Sequence, residues 1–213
     1  MHAAFMLLAA GFSLVAEDAR IAVVAGATSL VAWMVRARGT WTPSGRLGAA
    51  NAVTLLRAGV VLVFGCLGEH AATPAGALLV LGAFVLDGVD GWLARRSGTA
   101  STFGARLDME CDAWTVLVAA LVLYLSGRLG AFILVAGALR YTYVVALALR
   151  PSVKGEEPRS RTARWAFSLV MISLCVSLWP LGAWHVPLAG LATLLLCASF
   201  VRSTVWSWRP AAA

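Results

Sequence analysis

Six apolar stretches of about twenty residues follow one another along this chain, at 47–67, 75–93, 103–125, 130–149, 163–179 and 186–205. About 20 apolar residues is the length at which an α-helix crosses a ~30 Å hydrocarbon layer. In lipid, backbone polar groups must be satisfied within the segment, so each stretch predicts a helix. The breaks at 68–74, 126–130 and 179–187 are rich in Gly, Pro and polar residues, as connections are. Two shorter apolar pieces, 5–16 and 21–35, come first, parted by Glu17, Asp18 and Arg20. They predict an N-terminal hydrophobic hairpin over residues 1–38, whether spanning, re-entrant or interfacial. A signal peptide is disfavoured, because the basic start and the small-residue cleavage site are missing. The pattern as a whole predicts an all-α integral membrane protein. A six-helix transmembrane core within residues 39–213 joins the hairpin, making about eight transmembrane segments.

Composition agrees. The chain has 213 residues, 61% hydrophobic and 13% charged, against about 45–50% and about 25% in soluble domains. That length leaves no room for a second, soluble domain. The net charge of +7 would suit nucleic acid, but Lys and Arg gather at the ends of the apolar stretches, so no nucleic-acid partner is expected. With eight alternating segments, Arg36, Arg38, Arg46, Arg95, Arg96 and Arg106 share one side with the basic residues of 150–164 and with Arg202 and Arg209. Arg20 and Arg128 fall on the other. That bias puts the first group and both termini in the cytoplasm, and the expected location is a bacterial inner membrane. Cys66, Cys111, Cys175 and Cys197 lie in apolar stretches without metal-ligand spacing and read as small buried hydrophobes. No internal repeat is visible, which argues against a transporter built from repeated halves.

Four aspartates break the apolar pattern. Each carboxylate placed at a helix centre costs on the order of 2.5–3.5 kcal/mol on insertion scales, so these groups must face water, a bound cation, or both. Asp87, Asp90, Gly91, Ala94 and Arg95 stand at spacings that share one helix face, and so do Gly104, Asp108 and Asp112. The eight residues 96–103 let the chain turn, so two antiparallel helices can aim two carboxylate pairs at one cavity. Converging carboxylates call for hard divalent cations, Mg²⁺ or Mn²⁺ (or Ca²⁺), and the lack of nearby His or Cys argues against zinc or copper. Two ions would formally neutralise four aspartates, and such a pair can clamp a phosphoryl group. Gly91, Ala94 and Gly104 leave space beside the backbone, and the Arg95 guanidinium suits a phosphate.

The string Asp87-x2-Asp90-Gly91-x2-Ala94-Arg95-x8-Gly104-x3-Asp108-x3-Asp112 resembles, position for position, the signature of the CDP-alcohol phosphotransferase (phosphatidyltransferase) family. The run Asn51-x2-Thr54-x2-Arg57 is similar to a second element of that family, and on a helix Asn51 and Thr54 share a face that can bond a nucleotide or its phosphates. The resemblance covers about residues 47–205 and omits the hairpin. It implies transfer of a substituted phosphate from a CDP-linked donor, in bacteria usually CDP-diacylglycerol, to an alcohol, with release of CMP and formation of a phospholipid. It further implies metal binding by Asp87, Asp90 and Asp108, with Asp112 as general base and further metal contact. Gly91, Ala94, Arg95 and Gly104 would border the cytidine diphosphate. A homodimer is also in keeping with the resemblance.

The acceptor is less legible. Arg140, Lys154 and Arg159 are candidates for holding a small alcohol or alcohol phosphate, Arg140 because a guanidinium within an apolar segment needs a partner. Ordinary attraction of loop cations to anionic lipid competes with that reading for Lys154 and Arg159. Glu110, one step off the motif face, is an extra acid. The alternative function is a cation-binding or transporting membrane protein that uses the aspartates as a relay. It would need acids spread through the membrane depth, whereas these cluster at one end.

Overall fold

The computed structural model describes residues 2–150 and 161–208, the side chain of Arg161 excepted. Among the described residues there are eight α-helices and no strand: α1 His2–Val15, α2 Arg20–Arg36, α3 Ala49–Cys66, α4 Pro74–Ser97, α5 Thr102–Leu125, α6 Phe132–Leu149, α7 Arg161–Ser177 and α8 His185–Trp208. A 3-10 turn, Gly68–Ala71, links α3 to α4. The all-helical membrane architecture expected from the apolar pattern is observed. Four helices, α3, α4, α6 and α8, are long and apolar enough to cross a membrane by length and composition. α5 is as long as α4, but Asp108, Glu110 and Asp112 crowd its first half. At 14 residues, α1 is about 21 Å long, short of a ~30 Å hydrocarbon core.

Local chemistry sets the ends that matter for the site. Thr73 caps α4, accepting a hydrogen bond from the Gly76 N–H, with Pro74 in the first turn. Ser101 caps α5 in the same way, accepting from the Gly104 N–H at 2.9 Å. Hydroxyl caps of this kind are worth about 1 kcal/mol. The one tight turn between α4 and α5 thus has a defined exit and entry, and the two signature halves are brought together by it.

α5 is the axis of the bundle. Every residue from Ala113 to Leu123 is buried, whereas the other helices leave large apolar side chains such as Leu56, Leu78, Leu194 and Val201 exposed. An apolar surface of that extent marks contact with lipid. The hairpin is part of the same packing: Met6, Ala22 and Val23 are fully buried in the common core. α2 approaches α5 so closely that a Cβ on Gly26 would lie 2.1 Å from Trp114 Nε1, and that indole N–H donates to the Ala22 carbonyl at 3.3 Å. Trp33 of α2 stacks on Phe103 at the start of α5, 4.7 Å between centroids.

The two arginines set apart by the charge pattern are both used by the backbone at the other end of the bundle. Arg20 Nε donates to the Cys66 carbonyl at 3.0 Å. Arg128 donates to the Ala72 and Trp179 carbonyls at 2.9 and 3.2 Å. These cations satisfy carbonyls left open at helix ends and connections.

Candidate active site

Three helices build the site. The C-terminal half of α4 carries Asp87, Asp90, Gly91, Ala94 and Arg95. The N-terminal half of α5 carries Gly104, Asp108 and Asp112. The first turns of α3 carry Asn51, Thr54 and Arg57. Asp87, Asp90 and Asp108 each offer a carboxylate oxygen within 4.8 Å of the others. An all-oxygen set of this size fits a hard divalent cation.

Arg57 is the residue that sequence reasoning quoted without giving it work. Its side chain is 2% exposed, and it faces three of the four aspartates. Nη1 bonds the Asp87 carboxylate and lies 3.2 Å from Asp112 Oδ1. Nη2 donates to Asp108 Oδ1 at 2.9 Å and to the Asp108 carbonyl at 3.0 Å. The signal was present: Arg57 stands three residues after Thr54, on the same face of α3. The fourth aspartate, Asp90, is buried at 4% exposure and accepts a 2.7 Å hydrogen bond from the Thr54 hydroxyl. Each buried carboxylate contact is therefore met by a donor, as low-dielectric surroundings demand.

Beside the aspartates lies a cavity of about 240 Å³. All six residues expected around the nucleotide line it: Asn51, Thr54, Gly91, Ala94, Arg95 and Gly104, together with Asp90 and Asp108. Thr99 and Ser101 of the α4–α5 turn also line it, and neither was singled out from the sequence. Asn51 is held firmly, both contacts of Nδ2 going to backbone carbonyls, Leu47 at 2.8 Å and Trp41 at 3.1 Å. Ser101 Oγ donates to the same Trp41 carbonyl at 2.7 Å. Gly104 is required by this crowding: a Cβ there would lie 2.8 Å from Asn51 Oδ1.

The acceptor candidates divide. Lys154 and Arg159 lie outside the described residues. Arg140 is not among the residues lining this cavity. It pairs with Glu110 at 3.2 Å, and Glu110 also meets His2 Nε2 at 3.1 Å, beside a separate cavity under the hairpin.

A family model described as CDP-alcohol phosphatidyltransferase matches residues 47–205. The matched region holds every residue of the aspartate site and leaves out the hairpin. Comparison with curated proteins and with solved structures gave no significant match.

Proposed function

This chain belongs to the CDP-alcohol phosphatidyltransferase family, and from that premise we propose that it transfers a diacylglycerol-substituted phosphate from CDP-diacylglycerol to a small alcohol or alcohol phosphate. The family activity is phospholipid-type transfer from a CDP-alcohol within a membrane. One constellation supports the finer reading: three carboxylates from α4 and α5 converge beside a cavity walled by glycine, alanine, Asn51, Thr54 and Arg95.

Asp87, Asp90 and Asp108 would hold the divalent ions, Mg²⁺ or Mn²⁺, with Asp112 as a further ligand. When bound, such ions offset the charge of the donor diphosphate. The charge of the site favours two ions over one. Four carboxylates less the Arg57 guanidinium leave a formal charge of minus three; one divalent ion leaves minus one and two leave plus one, and only the second charge attracts the donor diphosphate.

The chain's own groups then have separable tasks. Thr54 holds one oxygen of Asp90. Arg95 offers its fork to the diphosphate. Gly91, Ala94 and Gly104 give a wall without bulk along which the cytidine diphosphate lies. Both donor contacts of Asn51 Nδ2 go to the backbone, so its Oδ1 is left to accept from the nucleotide. Asp112 takes the proton of the acceptor hydroxyl. The alcohol oxygen bonds to the donor phosphorus, the bond from that phosphorus to CMP breaks, and CMP departs with the electron pair. We place this site on the cytoplasmic side, in a catalytic transmembrane domain of residues 39–213 to which residues 1–38 are an added hairpin. The family also makes a homodimer a reasonable expectation.

The test is CMP release by the purified protein, supplied with CDP-diacylglycerol, Mg²⁺ or Mn²⁺, and a panel of alcohols and alcohol phosphates. Metal-dependent CMP with one acceptor is expected. No CMP with any of them would overturn the donor assignment. Asp112→Asn should remove turnover while keeping the metal-induced rise in melting temperature; full CMP release by that variant would remove the base assignment.

A further inference from the structure

A second cavity, about 600 Å³, lies between the hairpin, α5 and α6, and shares no lining residue with the aspartate site. On α5 it is lined by Arg106, Met109 and Glu110. At 100° per residue these point roughly 150° around the helix from Gly104, Asp108 and Asp112. α5 therefore stands between the two sites. More than half of the second cavity's lining residues come from α1 and α2, which the family model does not cover.

Its chemistry is amphipathic and positive. Phe5, Leu30, Trp33 and Val144 supply apolar wall. Three guanidinium groups, Arg36, Arg106 and Arg140, face one carboxylate, Glu110. Glu110 is already paired with Arg140 and His2. Arg36 and Arg106 are exposed and have neither ion pair nor hydrogen bond among the described residues. Arg140 Nε is buried without a hydrogen-bond partner. Arg36 ends α2, and Leu30 lies about 9 Å deeper along that helix. The cavity thus grades from free cations at the membrane boundary to apolar wall within.

We propose that this cavity binds an anionic phospholipid of the motif-side leaflet. Its phosphate sits on Arg36 and Arg106, and an acyl chain runs against Phe5, Leu30 and Trp33. Charge complementarity selects the headgroup: two unpaired guanidinium groups match a phosphate and are not satisfied by a zwitterion of zero net charge. The apolar wall selects a lipid over a soluble phosphate. The site does not depend on turnover at the aspartates.

The experiment uses the full-length protein in nanodiscs of phosphatidylcholine doped with phosphatidylglycerol. The protein is released into a mass spectrometer that resolves lipid adducts. The wild type should retain phosphatidylglycerol in preference to phosphatidylcholine. Arg36→Gln with Arg106→Gln should lower that retention roughly tenfold, each single variant less, at unchanged melting temperature. Arg95→Gln, in the other cavity, should keep the lipid. Undiminished retention in the double variant would overturn the proposal. So would loss of the lipid in Arg95→Gln alone, equal retention of both lipids, or displacement by inorganic phosphate.

Discussion

Replacing Arg57 with Met tests the electrostatics of the site directly. Met keeps most of the buried volume and removes the charge. Asp87, Asp108 and Asp112 would then face one another without their shared guanidinium. Removing one partner of a buried ion pair costs about 3–5 kcal/mol. These carboxylates keep 27%, 38% and 25% of their side-chain surface exposed, which moves the expectation to about 3 kcal/mol. For a chain of this size each kcal/mol shifts the melting temperature by about 2–4 °C, so a fall of roughly 6–12 °C is expected in EDTA. Divalent cation replaces the missing positive charge, so Mg²⁺ should raise the melting temperature of Arg57→Met by more than it raises the wild type. Tryptophan fluorescence during a thermal ramp, in detergent with EDTA or with Mg²⁺, reads both quantities. Equal melting temperatures in EDTA, or a Mg²⁺ response no larger than the wild type's, would refute the view that Arg57 is the internal counter-ion of the aspartates.

Other substitutions probe single contacts. Thr54→Val removes the hydrogen bond to Asp90 at little change in volume. It should raise the Mg²⁺ concentration for half-maximal CMP release, since a bond to a charged group is worth about 1.5–3 kcal/mol; an unchanged metal titration would count against Thr54 as the residue that orients Asp90. Arg95→Gln should raise the KM for the CDP-linked donor about tenfold or more and leave the Mg²⁺-induced rise in melting temperature intact. Gly26→Ala drives a Cβ into the Trp114 ring, and overpacking of this kind costs about 1–3 kcal/mol. A lowered melting temperature is expected, and no change would mean that α2 shifts freely on α5.

The helices were legible because the chain obeys a rule enforced by lipid: an apolar run of the right length has one low-cost conformation. The six core helices accordingly fall within a few residues of the apolar stretches that predict them. Less legible was how the helices pack. In a membrane protein an apolar residue faces lipid or core with equal comfort, so periodicity does not tell which helix is the axis. Nothing in the composition of 113–123 separates it from the lipid-facing stretches of α4 or α8. Burial of α5 follows from small residues such as Gly26 on its neighbours, which admit Trp114, and close approach of that kind is invisible until the partner is known.

At the site the division is different. Carboxylate and glycine spacing reveals which residues share a helix face, so the two halves of the aspartate cluster and most of the cavity wall could be read in advance. The spacing does not reveal what holds four acids together while the chain folds. Their mutual repulsion has to be offset in the folded protein itself, before any substrate or ion arrives, and the counter-charge comes from a third helix. Arg57 meets that need from α3, with one guanidinium reaching Asp87, Asp108 and Asp112, while Thr54 serves Asp90 from the same face. A cation at that position is also a physical reason for the Asn51-x2-Thr54-x2-Arg57 run: nearly two helix turns offer, in order, a carbonyl oxygen toward the cavity, a hydroxyl for the buried acid, and a charge for the other three.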